Sequence, residues 1–413
     1  MKTGFFSFFR WRIRYGDKWV LAAIPAMLMS MVAAGKAAVI TFALIGLWNT
    51  AFKRNSRRFV DGSLIWPSFA LGLYALMSFG VSVWRNPDCL SLDPNYAAFL
   101  IFPFLSAGLV LVRDPLRWLA LGAKLVIVYF CFLGIFELFT TVERAGWERG
   151  PVISAYYLML CGSMVRFDKT SSRPINLGFF YLSFIPVLAT GTRTALIFYA
   201  VMAVIDGYQA IRFYTGRWQK PAALKAIAAA TLGLTLVAFA VLQSPAVQKR
   251  IAETVAEAQG LQSNTGIGSL RMRYAITKAG VETFLSAPIF GAGLCKGVEN
   301  LTERVNEVNP AVKHKFFHNM WLDAVGFYGI IGLVLFSWWC FAVVKALFEN
   351  KAGDYTGQHH QLNLVCFVLA VFIYGVTSSF LSDIGTISGT FIVLAALINE
   401  KQRTIMWHRI REP

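Results

Sequence analysis

Apolar residues run through this chain in long unbroken stretches rather than in alternation. Runs near 18–34, 37–52, 63–84, 96–112, 117–140, 151–165, 175–190, 194–211, 223–243, 318–345, 361–381 and 384–399 approach the length that an α-helix needs to cross a bilayer. The pattern predicts an all-α polytopic membrane protein with about 12 transmembrane helices. A hairpin over Val32–Ala38 is expected to join the first two. Continuous apolar runs exclude a closed barrel, whose strands alternate. Lys18 to Gly35 reads as a spanning helix that stays in the chain, since no small-residue cleavage site accompanies it.

One long polar interval, about Ser244 to Phe317, interrupts the series. Ser244-Pro245 is a helix start, with Val247, Ile251, Val255 and Ala258 recurring at helical spacing. Lys249, Arg250, Glu253 and Glu257 take the other faces. Gly260 to Gly268 is a polar linker, after which Ser269 caps a second helix running to about Leu285. Pro288 and Gly291-Ala292-Gly293 predict a tight turn, and Asn309-Pro310 another. Three regions follow: 1–243 with nine transmembrane helices, 244–317 as a loop domain with short amphipathic helices, and 318–413 with three more helices and a short tail.

Composition agrees. Of 413 residues, 56% are hydrophobic and 15% charged, with a mean hydropathy of +0.55; a soluble domain carries roughly 25% charged residues. The formal net charge is +17. Most basic residues fall in short loops on one side, including Arg113, Arg117, Arg166, Lys169, Arg173, Arg212 and Arg217. By the positive-inside rule both termini are cytoplasmic and the 244–317 segment is periplasmic. The excess charge therefore reads as topology and contact with membrane lipids, and no nucleic-acid motif accompanies it. No CxxC occurs; Cys89 and Cys295 can both face an oxidising compartment and pair there.

Few side chains at the membrane boundary invite chemistry. His318-Asn319 opens the tenth apolar run, either as a base and its orienting amide or as an interfacial cap. Arg193 sits in Thr192-Arg193-Thr194, in a turn too short to be solvated. Beside a helix N-terminus, with two hydroxyls, it suits a phosphate; the bland alternative is a snorkelling arginine. Arg271 and Arg273 open the second loop helix but point about 200° apart, so one lines a site and the other does not. The outer carboxylates form no Asp-x-Asp pair of the kind that holds Mg²⁺ on a sugar diphosphate. Arginine, rather than metal, is expected to neutralise such a group. His314 and His318, four apart with no intervening glutamate, make a poor zinc site.

Gly-Thr-Arg-Thr-Ala at 191–195, Ser-x-x-x-Arg at 269–273, Pro-x-x-Gly-x-Gly at 288–293, His-Asn at 318–319 and the glycines at 326, 329 and 332 occur in this order around one large loop. Together they resemble the O-antigen ligase family, which shares its core with O-antigen polymerases and bacterial O-oligosaccharyltransferases. Two arginines stand where the family shows one, and the downstream tryptophan is absent, so Arg271 and Arg273 both remain candidates. The resemblance implies an inverting, metal-independent glycosyltransferase of the bacterial inner membrane that needs no cofactor. It implies transfer of O-antigen polysaccharide from undecaprenyl diphosphate to a lipid A–core hydroxyl on the periplasmic face. His318, Arg193 and Arg273 are then catalytic, and Arg271, Asn319, Thr192 and Thr194 bind substrate. A polymerase or protein glycosyltransferase using the same donor shares these motifs. A transporter of the same lipid is expected to break its helices near the bilayer midplane.

Overall fold

The computed structural model describes residues 18–52, 62–85, parts of 99–114, 115–140, 145–147, 150–215, a few positions between 243 and 256, 269–309, 314–348, 358–378 and 386–398. Among them the only regular structure is helix. The helices are α1 Lys18–Ser30, α2 Val32–Phe52, α3 Gly62–Arg85, α4 Pro115–Thr140, α5 Pro151–Val165, α6 Arg173–Leu182, α7 Phe184–Thr190, α8 Arg193–Thr215, α9 Ser269–Ser286, α10 Gly293–Asn306, α11 Met320–Phe348, α12 Gln358–Thr377 and α13 Thr386–Ile398. Helical residues also occur at several described positions between 99 and 109. Among the described residues, four helices are long and apolar enough to cross a membrane: Ile65–Arg85, Pro115–Thr140, Met320–Phe348 and His360–Thr377. Shorter apolar helices lie at the first, second, sixth and last predicted spans. The ninth, 223–243, lies outside the described residues, as do most of the helix expected after Ser244 and both ends of the chain.

Three expected spans differ in shape. The hairpin expected over Val32–Ala38 is helix instead. The chain reverses at Met31 alone, bringing Gly35 against the Leu28 backbone, 2.8 Å from its nitrogen at the nearest Cβ position. The single helix expected over 175–190 is two, α6 and α7, parted at Ser183. Pro186 has no N–H to give Leu182, four residues back. The Leu182 carbonyl receives the Cys131 thiol at 3.6 Å instead, and the Ser183 hydroxyl turns to Phe180 and Tyr199. The third difference, a break in α11, belongs to the site.

Among the described residues, the buried ion pairs gather at one end. Arg166, just past α5, gives both terminal nitrogens to Asp206 of α8 at 2.7 and 2.8 Å and its Nε to Asn363 of α12. The Tyr181 hydroxyl adds a third donor to Asp206. Lys124 of α4 pairs with Asp168 at 2.5 Å. In an apolar interior an ion survives only when its hydrogen bonds are supplied, and these are. Asp206 is thus a structural anion that ties three helices together.

Candidate functional site

The opposite end is built by α9, α10 and the first third of α11. α9 starts at Ser269 and buries Ala275, Ile276, Ala279 and Thr283, the i, i+3, i+4 stripe of an amphipathic helix. Gly280 on that stripe lets Leu322 of α11 approach. α10 lies beside α9, clamped by Arg304, which binds Glu282 at 2.7 and 2.9 Å, and by Asn300 to Thr283.

Pro288–Gly293, the turn between these helices, is keyed into α11. Gly329 adopts φ 65° and ψ −163°, a backbone region open essentially to glycine alone. The helix ladder fails there, and the freed N–H groups of Ile330 and Ile331 bond the carbonyls of Pro288 at 2.8 Å and Ile289 at 3.3 Å. Gly291, at φ 79°, presses its Cα against the Phe327 carbonyl, where no side chain fits. The bend is acute. The Trp321 and Phe336 rings meet at 5.2 Å, whereas a straight helix sets residues 15 apart about 22 Å from one another. Met320–Tyr328 is therefore a short segment folded back against the longer leg. The expected single span over 318–345 is corrected to this broken form.

The mouth of that short segment is pinned on both sides of His318. Asn319 caps it, its Oδ1 accepting from the Trp321 and Leu322 N–H groups at 2.9 and 3.2 Å. Phe317 stacks on Phe327 at 4.6 Å and donates its N–H to Asp323 Oδ1 at 2.7 Å. His318, held between them, sits at φ 54°, a left-handed conformation that costs a side-chain-bearing residue roughly 1–2 kcal/mol. Its Nε2 lies 2.7 Å from His314 Nδ1, with the rings edge to face. The two imidazoles bond one another rather than converge on a third point. Burial, then the neighbouring His314, then Arg273, push the His318 pKa down to about 4; burial lowers that of His314 too. His318 is therefore neutral at physiological pH.

Of the two arginines that open α9, Arg273 is the one whose charge reaches His318. Both are exposed, as their position on the outward faces of α9 requires. Asn319 turns its oxygen to the helix, which explains the His-Asn order: the amide fixes the chain that carries the imidazole.

Arg193 is the first residue of α8, exposed, after Gly191 at φ 60°. Thr192 is buried, with its hydroxyl bonded to the Pro151 carbonyl at 3.3 Å and to Thr190 at 3.0 Å, so it braces the turn. Thr194 is half-buried. This turn and His318 belong to the same end of the bundle. Thr192 touches Pro151 at the start of α5; Tyr156, one and a half turns on, stacks on Tyr374 of α12 at 4.0 Å. The next residue, Gly375, abuts Met320, two residues after His318.

Sequence reasoning did not reach the His314–His318 bond, the role of Asp323 or the break at Gly329. The spacing of the two histidines was visible, but it is the left-handed backbone at His318 that turns the rings together. Cys295 in α10 is disulfide-bonded; Cys89, its expected partner, lies outside the described residues. Cys131, Cys161, Cys340 and Cys366 are free.

No curated protein matches the chain. Residues 178–337 do match a family, and they run from within α6 through Arg193, the α9–α10 pair and the break in α11 to the first turns of its long leg. Arg193, Arg273 and His318 lie inside that stretch, and the family that it matches is described as O-antigen ligase.

Proposed function

We propose that the protein is an O-antigen ligase, an inverting glycosyltransferase that moves O-antigen polysaccharide from undecaprenyl diphosphate to a lipid A–core hydroxyl. The observation that carries this reading is a neutral, half-buried imidazole in the electrostatic field of Arg273, at the bundle end that also bears Arg193. Transfer from a lipid diphosphate needs two things: cations where the leaving oxygen gathers charge, and a neutral base for a weakly acidic sugar hydroxyl. Arg193, at a helix N-terminus, and Arg273 supply the first. His318 supplies the second. The acceptor oxygen attacks the anomeric carbon from the face opposite the diphosphate, which inverts the linkage. His318 takes its proton, and the carrier leaves as undecaprenyl diphosphate. Arg271, Thr194 and Asn319 flank this path, Asn319 through the backbone that it caps. No step calls on a metal.

The disulfide at Cys295 supports a periplasmic location for this end of the inner-membrane protein, since such bonds persist in oxidising compartments. The break at Gly329 is the one feature that a transporter would share. Its freed amides are taken by Pro288 and Ile289, which argues for a structural joint rather than an ion site. The test is to incubate purified protein with lipid-linked glycan and either core lipid or acceptor peptide. Glycosylated core lipid is the expected product. Longer lipid-linked glycan instead identifies a polymerase, and glycopeptide identifies a protein glycosyltransferase. Relocation of the donor across vesicles with no new glycosidic bond identifies a transporter.

A further inference from the structure

We infer that His314 and His318 act as one proton-accepting unit, with His318 Nδ1 facing the acceptor hydroxyl and His314 Nδ1 receiving the proton that His318 gives up from Nε2. The role in transfer rests on the function proposed above; the pairing itself does not.

Geometry carries the inference. A 2.7 Å contact between two ring nitrogens requires one proton between them, on one ring or the other. If it sits on His318 Nε2, the Nδ1 of that ring keeps its lone pair and is the base. Deprotonating the acceptor then makes His318 an imidazolium whose Nε2–H already points at His314 Nδ1. One proton enters at His318 Nδ1 as another leaves Nε2, so the charge settles on His314. The balance closes. The acceptor O–H bond breaks, its oxygen bonds the anomeric carbon, and the carbon–oxygen bond to the diphosphate breaks with its electron pair going to phosphate. The proton rests on the imidazole pair until product release.

Two further observations fit a working pair better than a packing contact. His314 Nε2 is buried and finds no hydrogen-bond partner among the described residues. A histidine kept only for packing would not normally leave a ring nitrogen unsatisfied. The chain also holds His318 in a left-handed conformation while both of its neighbours are fixed, and that geometry is what turns the rings together. The charged groups around the pair are Arg273 from α9, Asp323 from α11, which accepts from the Phe317 amide, and Lys315 in the same segment. Before substrate binds, Arg273 and burial oppose a positive pair. A diphosphate on Arg273 offsets that cation and makes the pair more basic when the proton must be taken.

The chain has five histidines, so ¹⁵N-histidine spectra of the full-length protein in nanodiscs can resolve the pair. The expected result is a nitrogen–nitrogen coupling across one shared proton, with the His318 ring neutral at pH 6. It should disappear in His314→Gln. Absence of the coupling in the parent protein overturns the pairing, whatever the substrate proves to be. In the transfer assay, His314→Gln keeps a hydrogen-bond acceptor but cannot take a proton. It is expected to lower kcat about 10–100-fold with KM little changed. The acid limb of kcat/KM should move up in pH, because the ring that depresses His318 is gone. In mixed H₂O/D₂O, the rate of the parent should bend with isotope fraction and that of the variant should fall linearly. Unchanged kcat in His314→Gln, or a linear dependence in the parent, overturns the relay. A parent protein that transfers no glycan to any acceptor refutes the proposed function, and the coupling measurement still decides the pair.

Discussion

Gly329→Ala should be among the most damaging single-methyl additions in the molecule. The added Cβ would enter the Ile289 carbonyl and come 2.6 Å from the Gly291 nitrogen, both backbone atoms with no rotamer to escape into. The backbone angles at 329 themselves cost an alanine about 1–3 kcal/mol. To relieve the overlap the 288–293 turn must back away, releasing the bonds from Ile330 and Ile331, each worth about 1 kcal/mol net. The sum is about 3–5 kcal/mol, a large part of the 5–15 kcal/mol that typically holds a domain together. In detergent this should lower the apparent melting temperature by about 5–10 °C. Gly72→Ala is the matched control: it lies inside α3 with open space around its Cβ position, and it should be neutral or slightly stabilising. Transfer activity should fall further than folded fraction, because the short segment bearing His318 hangs from the same joint. Gly329→Ala melting within 1–2 °C of the parent would mean that the turn and the broken helix are not locked together.

The depressed His318 pKa predicts activity that persists into acid. With a free-protein value of about 4, roughly nine-tenths of kcat/KM should survive at pH 5, against about 3% for a histidine at 6.5; an acid limb near 6.5 would contradict the burial described. Arg193→Ala and Arg273→Ala should each lower kcat by about 10²–10³-fold with the protein still inserted, while Arg271→Ala costs under tenfold; equal losses at 271 and 273, measured in the same transfer assay, would erase the distinction. Asp206→Ala leaves Arg166 buried without its carboxylate and should destabilise by about 3–5 kcal/mol in denaturant titrations, with KM unchanged in the folded fraction. Transfer should continue in EDTA; a strict requirement for added Mg²⁺ would point to a carboxylate site not recognised here.

Much of the bundle was legible because apolar run length is a direct physical requirement of a bilayer. Where the described residues cover a predicted span there is helix, and α9 begins and ends within a residue of the limits read from Ser269 and Leu285. What ran counter to expectation lay in backbone geometry. Pro186 divides an apolar run that hydropathy reads as continuous. Gly326, Gly329 and Gly332 form a visible pattern, but only at 329 does the helix break, because only there does another turn arrive to take up the freed amides. At the site, residue types were readable and their partners were not. Arg271 and Arg273 differ by which face of α9 they occupy relative to a segment over forty residues away. His314, read as lying before the helix, does lie in a non-helical stretch; its bond to His318 was hidden because it depends on the left-handed backbone at His318.

The two ends of the bundle solve opposite electrostatic problems. At the Arg166 end each buried cation has its carboxylate, and both pairs are closed by further donors, so nothing there needs a ligand to be stable. At the His318 end the described residues supply imidazoles and exposed arginines; of the nearby carboxylates, Glu282 is paired with Arg304, and Asp323 Oδ1 accepts the Phe317 N–H, which fixes that carboxylate without neutralising it. Arginines presented at such an end suit a diphosphate, which a sugar alone does not match in charge. Neutral histidines tolerate the apo state because they carry no charge of their own. The same design explains why the joint at Gly329 matters to chemistry. A straight α11 would carry Met320, and His318 before it, about 13 Å beyond the break along the axis of the long leg, away from the α9 face that bears Arg273. Folding the segment back is what brings base and cation together.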